Sequence, residues 1–371
     1  MKKLRVLTVF GTRPEAVKMS PVVLELNKRA GIEHRLCVTA QHREMMDQVL
    51  EVFGIVPDYD LDIFEKGQSL SLITTRALTK LEEVIKDFKP DVILVQGDTT
   101  TVFAGALAGF YQGVKVGHVE AGLRSGDLYS PYPEEANRKL TGVLTEYHFA
   151  PTEMSRANLL NEGYPDEKIY VVGNSAIDAL KLVIKEDYMF ENKVLNEVDF
   201  SNKKVIFMTA HRRENIGEPM ENIFGAVRAI VEAHEDVLVV FPMHLNPLVR
   251  EIAKKHLEGH ERILLMDPIS YVDSANIQSR MYMVVTDSGG IQEEAPNFGK
   301  PVLVLRTETE RPEGIAAGTA KLVGVDKDVI FKTMDELLTD KEAYAQMANA
   351  VNPYGDGKTA IHIADILEKL V

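Results

Sequence analysis

Four carboxylates, Glu120, Asp127, Glu134 and Glu135, fall within GHVEAGLRSGDLYSPYPEEANR, residues 117–138. The segment reads as a long loop with two prolines and two tyrosines, where charge adds little to regular structure. Carboxylates gathered this way suit proton transfer at a substrate. A solvated loop is the plainer reading, and for Glu134 and Glu135 taken alone it is the better one. Glu120 is harder to explain so, because it directly follows the apolar run KVGHV, at a buried strand's end with no capping role.

A second segment, MVVTDSGGIQEEAPNFGKP, offers anion binding. A strand ends at Asp287, Ser288, Gly289 and Gly290 follow, and a helix starts whose free N–H groups and positive dipole end suit a phosphate. Glu294 lies one helical turn beyond Gly290, where a carboxylate can accept from two ribose hydroxyls. The alternative is a tight turn capped by Ser288. In GTRPEAVKMSP, Pro14 takes the first helical position, with Arg13 before it and Lys18 one turn on. Two cations at a helix N-terminus oppose the dipole, so a bound anion explains them better than capping does. Asp98 in GDTTT is either a site carboxylate or an N-cap. His211 and Arg212 in AHRREN, and His244 in PMHLNP, add titratable and cationic groups. GxGxxG and HExxH are both missing, so neither a tightly bound nicotinamide nor metal hydrolysis has a motif here.

The elements that must carry these groups are short β-branched runs: LRVLTVF, HRLCVTA, DVILVQ, VKVGHV, KVIFMTA, VLVVFP, RILLM, MYMVVTD and PVLVLR. They alternate with longer helical patterns, which predicts parallel sheets covered by helices on both faces. The runs form two groups, separated by a helix and a charged connection. We expect two doubly wound Rossmann-like α/β domains, 1–172 and 173–354, with a deep cleft between them and a C-terminal amphipathic helix in 355–371. In such sheets ligands bind beyond the carboxyl ends of the strands, and nearly every strand exit here carries charged, glycine or hydroxyl residues.

Composition agrees with a two-lobed protein, since 371 residues exceed one ordinary core. With 42 Lys+Arg against 56 Asp+Glu, the net charge of -14 repels phosphate backbones and anionic membranes, so nucleic acid and membrane partners are not expected. The lone cysteine, Cys37, has no intrachain partner and suits a reducing cytoplasm. No apolar run approaches the roughly 18 residues of a spanning helix.

Nine segments in order from residue 10 to residue 357, FGTRPEA, TAQHREMMDQVL, GDTTT, GHVEAGLR, SPYPEEANR, TAHRREN, TDSGGIQEEAP, ERPEG and NPYGDG, resemble the non-hydrolysing bacterial UDP-N-acetylglucosamine 2-epimerases. The resemblance implies a glycosyltransferase-B architecture with UDP held mainly by the C-terminal domain and the final helix crossing back to the N-terminal one. It implies substrate and UDP contacts from Arg13, Lys18, Asp98, Glu120, His211, Ser288, Gly289, Gly290, Glu294 and Arg311, with Asp98, Glu120, Glu134 and His211 as the catalytic set. It further implies an activating second UDP-N-acetylglucosamine at Gln41, His42, Arg212 and His244, a homodimer, and no metal or redox cofactor. The implied reaction converts UDP-N-acetylglucosamine to UDP-N-acetylmannosamine, for cell-surface polysaccharide or teichoic acid synthesis. Ser274 and Ile269 depart from the family on the uracil side.

The chemistry is consistent with that resemblance. The C2 proton of the sugar has no neighbouring carbonyl and is not acidic, so inversion requires either oxidation or elimination of UDP from C1. With no dinucleotide motif, elimination is the expected route. A glycosyltransferase, a hydrolysing epimerase and a nucleotide-sugar sensor without catalysis are the alternatives.

Overall fold

Apolar runs with no polar alternation have to be buried on both faces, and in this chain they form the interiors of two parallel sheets. A computed structural model describes residues 3–40, 43–65 and 67–370. The first sheet comprises β1 (Leu4–Phe10), β2 (Ile32–Val38), β3 (Tyr59–Asp60), β4 (Val92–Gln96), β5 (Lys115–Val119), β6 (Tyr147–Ala150) and β7 (Ile169–Val171). Its order is β3-β2-β1-β4-β5-β6-β7. The second comprises β8 (Lys204–Thr209), β9 (Val237–Pro242), β10 (Ile263–Met266), β11 (Met283–Thr286), β12 (Val302–Val304) and β13 (Ala320–Leu322), in the order β10-β9-β8-β11-β12-β13.

Both orders reverse at one place, between β1 and β4 in the first sheet and between β8 and β11 in the second. Chain leaving adjacent strands there turns to opposite faces and opens a crevice at their carboxyl ends. The registers Thr8↔Leu94 and Val285↔Met208 bring those exits side by side. This topology therefore selects four segments: the ones after Phe10, Gln96, Thr209 and Thr286.

Helices hold the sheets by their apolar stripes. The helix Leu70–Phe88 buries Ile73, Ala77, Leu81, Val84, Ile85 and Phe88, a spacing of three and four, in the core formed with Leu7, Val9, Ile93 and Val95. Each of these side chains larger than alanine contributes about 1.5–3 kcal/mol relative to leaving it exposed. Ser69 caps the helix start through the Leu72 N–H, and Lys89 ends it in the left-handed region at φ 53°. Met208, Phe224, Val239, Phe241 and Val285 form the corresponding core around the second sheet.

The chain divides into two compact units, residues 1–182 with 354–371, and residues 183–353. The first crossing lies ten residues beyond the 172/173 boundary read from the sequence. All but the last residue of the helix Ser175–Val183 belongs to the N-terminal unit, where Asp178 Oδ1 accepts from Ala360 N at 2.9 Å, at the start of the helix Thr359–Glu368. Asn174 N also donates to Tyr354 O at 2.8 Å. Arg29 pairs with Asp365 at 2.8 Å and with Glu368 at 3.1 Å, which fixes the last helix on this unit. Among the described residues no helix is long and apolar enough to cross a membrane.

One glycine beside the first crevice has no freedom to change. Gly122 has φ +91°, and a Cβ there would lie 2.2 Å from the Ser155 carbonyl oxygen and 3.0 Å from Leu159 Cγ. Gly122→Ala thus combines a backbone penalty with overpacking and should cost about 2–5 kcal/mol. Urea unfolding measures it, and a loss under 1 kcal/mol would show that the loop has another path.

Candidate active site

The four carboxylates of residues 117–138 separate into different roles. Asp127 is exposed, and its Oδ1 accepts from Tyr129 N at 2.9 Å, so it is a turn residue in a solvated loop. The loop ends sooner than the sequence suggested, because Glu134 and Glu135 open the helix Glu134–Leu144, where negative charge suits the dipole. Glu135 is fully buried, accepts from Ser125 N at 3.1 Å and Gly126 N at 3.3 Å, and pairs with Arg138 at 2.9 Å. It tethers the loop. Glu134 is half-buried, and its Oε2 is buried with no hydrogen-bond partner among the described residues. That orphaned acceptor needs a ligand or water.

Glu120 leaves the end of β5 with φ +67°, in the left-handed region, which costs a non-glycine residue about 1–2 kcal/mol. Its Oε2 accepts from Lys18 Nζ at 2.5 Å and Gln96 Nε2 at 2.9 Å. The strained backbone aims the carboxylate at the β1/β4 crevice. Asp98, half-buried at the β4 exit, takes both Arg138 Nε at 3.0 Å and Nη2 at 2.6 Å on Oδ2, while Asn137 Nδ2 bonds its carbonyl at 2.9 Å. It is not an N-cap. Thr99 caps the helix Thr100–Tyr111 by accepting from Val102 N, and this frees the Asp98 carboxylate from that duty. His118 Nε2 lies 2.7 Å from the Gly97 carbonyl oxygen, and burial pushes the imidazole down to about 4, so a neutral ring holds the residue before Asp98.

Arg13 is the first residue of the helix Arg13–Leu26 and Pro14 the second, one position later than expected, because Thr12 takes the extended N-cap conformation. Arg13 is exposed, whereas Lys18 is turned inward onto Glu120.

In the C-terminal unit the organising residue is Asp287, fully buried at the β11 exit. Its Oδ2 accepts from His211 N and Arg212 N, both at 2.8 Å, and from Asn215 Nδ2 at 3.2 Å, which welds the β8 exit to the β11 exit. His211 Nδ1 lies 3.2 Å from Asp287 Oδ1, and its ring stacks on that of His244 at 5.7 Å. Burial pushes the His211 pKa down, against the pull of Asp287 and with the help of Arg212 and His244. A neutral imidazole results near pH 7.

Ser288 makes no side-chain cap bond, so the Ser-Gly-Gly turn is not explained as a capped helix start. Neither Gly289 nor Gly290 lies in the left-handed region, and their value here is room. A Cβ on Gly289 would meet Arg311 Nη2 at 3.8 Å and Arg212 Nη2 at 3.9 Å, so two guanidinium groups converge over the turn. A Cβ on Gly290 would face Glu294 Oε1 at 3.9 Å, which places that carboxylate on the same side. Glu294 Oε2 accepts from Gln278 Nε2 at 2.7 Å. Arg311 is held by a short ion pair with buried Glu293, and Thr309 Oγ1 ties the preceding loop to Gln292 at 2.7 Å.

Each unit thus brings most of its expected site residues to its own switch point. Lys18, Asp98 and Glu120 lie at the first, with Glu134 one turn before Arg138, the partner of Asp98, on the helix Glu134–Leu144; His211, Arg212, Ser288, Gly289, Gly290, Glu294 and Arg311 lie at the second, with His244 on His211. Gln41 and His42 lie outside the described residues. The partners Gln96, Arg138, Asp287 and Glu293 went unrecognised as site residues. Arg138 had a legible signal, since it stands four residues after Glu134 and three after Glu135 once that segment is read as a helix. Among the described residues, no group of three or more His, Cys, Asp or Glu is placed to hold a metal ion.

Two doubly wound parallel sheets, each with polar groups at its switch point, define the glycosyltransferase-B-like class of α/β proteins. The model of the UDP-N-acetylglucosamine 2-epimerase family matches residues 24–368. The chain is 54% identical over 367 residues to the UDP-N-acetylglucosamine 2-epimerase of Bacillus subtilis, covering 99% of this chain and 96% of that one. A solved structure from Listeria monocytogenes is similar with a TM-score of 0.94 at 52% identity, over 99% of this chain and 96% of its own. The UDP-N-acetylglucosamine 2-epimerase of Neisseria meningitidis, solved bound to UDP-N-acetylglucosamine, is similar with a TM-score of 0.87 at 49% identity, over 99% of this chain and 100% of its own. The chain belongs to the UDP-N-acetylglucosamine 2-epimerase family.

Proposed function

We propose that this protein interconverts UDP-N-acetylglucosamine and UDP-N-acetylmannosamine without net hydrolysis. A carboxylate takes the C2 proton as UDP leaves C1, giving a 2-acetamidoglucal, and UDP adds back with the proton delivered to the opposite face. The observation that carries this reading is Glu120: strained backbone, a carboxylate paired with Lys18 at 2.5 Å, and a place at the crevice end of β5. Strain of this kind is retained where a side chain must be aimed.

Glu120, Asp98 and Glu134 form the proton-handling set, and Arg138 orients Asp98 through two hydrogen bonds to its Oδ2. The Ser288–Gly290 turn with Arg212 and Arg311 takes the diphosphate, which leaves as a polyanion and gains charge in the transition state. Glu294 takes the ribose, and neutral His211 is a hydrogen-bonding partner of the departing phosphate. Arg13 completes the substrate contacts on the N-terminal side. Gln41, His42, Arg212 and His244 are the proposed groups for a second, activating substrate. Phe110, Tyr111, Leu140 and Val143 are exposed on the helices Thr100–Tyr111 and Glu134–Leu144, an apolar surface suited to a homodimer. We place the activity in the cytoplasm.

Proton NMR of UDP-N-acetylglucosamine incubated with the protein in heavy water tests the reaction. Deuterium should enter at C2 of both epimers, because a carboxylate in exchange with solvent carries the proton. Epimerisation with full retention of protium would exclude that route, and no epimerisation would exclude the function.

A further inference from the structure

Gln278 is fully buried, on a helix that supplies none of the site residues above. Its Nε2 donates to Glu294 Oε2 at 2.7 Å, while its own Oε1 is buried with no hydrogen-bond partner among the described residues. A buried amide satisfied on one side only is worse for stability than an apolar side chain of the same shape. Packing therefore does not account for a glutamine here. The bond to Glu294 does.

The helix that carries Gln278, Tyr271–Arg280, is fastened from its other side. Ser270 caps its start by accepting from Asp273 N. Asp273 Oδ1 accepts from Tyr188 Oη at 2.9 Å and from Glu191 N at 3.0 Å. Asn276 accepts from Lys185 N and donates to Val183 O, both at 3.1 Å, and Arg280 Nη2 donates to Glu186 O at 3.0 Å. Asp273, Asn276 and Arg280 stand three and four residues apart and share one face, and at about 100° per residue Gln278 falls on the opposite one. One face grips residues 183–191, and the other holds a single amide against Glu294. That amide is a fixed point.

A glutamate that must receive a ligand gains from one. Its side chain turns about several bonds, and whatever freedom it keeps in the free site is lost on binding. An amide also serves better than a cation would. Lysine or arginine would neutralise the carboxylate and, with several donors, cover both oxygens, whereas glutamine leaves the charge for the ligand. Glu294 Oε1 stands on the Gly290 side, 3.9 Å from where a Cβ of Gly290 would be, so the carboxylate is presented beside the Ser-Gly-Gly turn.

We propose that Gln278 is a positioning residue for the nucleotide: by fixing Glu294 it sets the preference of the site for ribonucleotides over deoxyribonucleotides. This rests on the assignment of Glu294 to the ribose. Two neighbouring hydroxyls can both donate to one carboxylate only when its plane faces them, and the bond to Oε2 holds that plane. Without it Glu294, which is half-buried, turns toward water. The diphosphate end of the ligand, over Gly289 and the two arginines, is unaffected.

Calorimetry on the full chain with UDP and with 2′,3′-dideoxy-UDP tests the proposal. The wild type should prefer UDP by about 10²- to 10⁴-fold, the worth of two hydrogen bonds to a charged group. Gln278→Met, similar in length but without a donor, should weaken UDP by about 10-fold or more and leave dideoxy-UDP within about twofold. Equal weakening of both nucleotides would show a packing role and overturn the proposal, and so would a preference for UDP as large as the wild type's. Should Gln278→Met fail to fold, Gln278→Asn, whose amide stops about 1.5 Å short of Glu294, gives the same comparison. A wild type that binds the two nucleotides alike would defeat the ribose assignment of Glu294 itself, and the proposal with it.

Discussion

Glu120→Gln lowers epimerase turnover by about 10²- to 10⁴-fold, the range for losing a positioned acid or base. The substitution keeps size, backbone and an acceptor for Gln96, and removes only the negative charge and the ability to take a proton. Lys18 loses one partner at 2.5 Å, so a modest fall in stability accompanies the loss. Thermal melting should record that fall separately from the kinetics. In the proposed mechanism the carboxylate acts on a proton that moves in the transition state, so the drop should fall in kcat rather than KM. Exchange of the C2 hydrogen with heavy water should fall in parallel, since both need the same group. Turnover within threefold of wild type in a folded Glu120→Gln protein would remove Glu120 from the catalytic set and leave its strained backbone without an explanation.

The strands that the sequence made legible were those whose burial is continuous. LRVLTVF coincides with β1 residue for residue because every position but Arg5 is buried between two helical layers, so Arg5 and Thr8 are the only polar residues in the run. VLVVFP coincides with β9 in the same way. YHFA and IYV, now β6 and β7, are four and three residues long, too short to show a period against their surroundings. The prolines at 131 and 133 carried the loop reading past its end, although a helix begins directly after Pro133.

At the site, residue types were legible and pairings were not. Lys18 meets Glu120 across 102 residues, and Arg138 meets Asp98 across 40; strand order, not local spacing, decides such contacts. The Ser-Gly-Gly turn was identified because glycine and helix start are adjacent in sequence, whereas the convergence of Arg212 and Arg311 over it, from segments 99 residues apart, appears only in the fold.

That convergence sharpens what a substitution in the turn should do. Gly289, rather than Gly290, faces the two guanidinium groups, at 3.8 Å and 3.9 Å from where its Cβ would stand. Alanine there is in ordinary contact and should be tolerated. Valine extends each branch by about 1.5 Å further, into the space a phosphate oxygen must enter to reach either arginine. The backbone is not left-handed at Gly289, so the cost to folding is small, about 0.5 kcal/mol or less from a branched residue in a first helical turn. Losing one or two charge-assisted bonds, each worth about 1.5–3 kcal/mol, should weaken UDP binding by about 10- to 10⁴-fold. Gly290→Val, directed at Glu294, should disturb the ribose more than the diphosphate, so its effect should appear with uridine as well as with UDP. Calorimetry on folded Gly289→Val settles the matter. An unchanged affinity for UDP would place the diphosphate away from this turn, and Arg212 and Arg311 would then need another ligand.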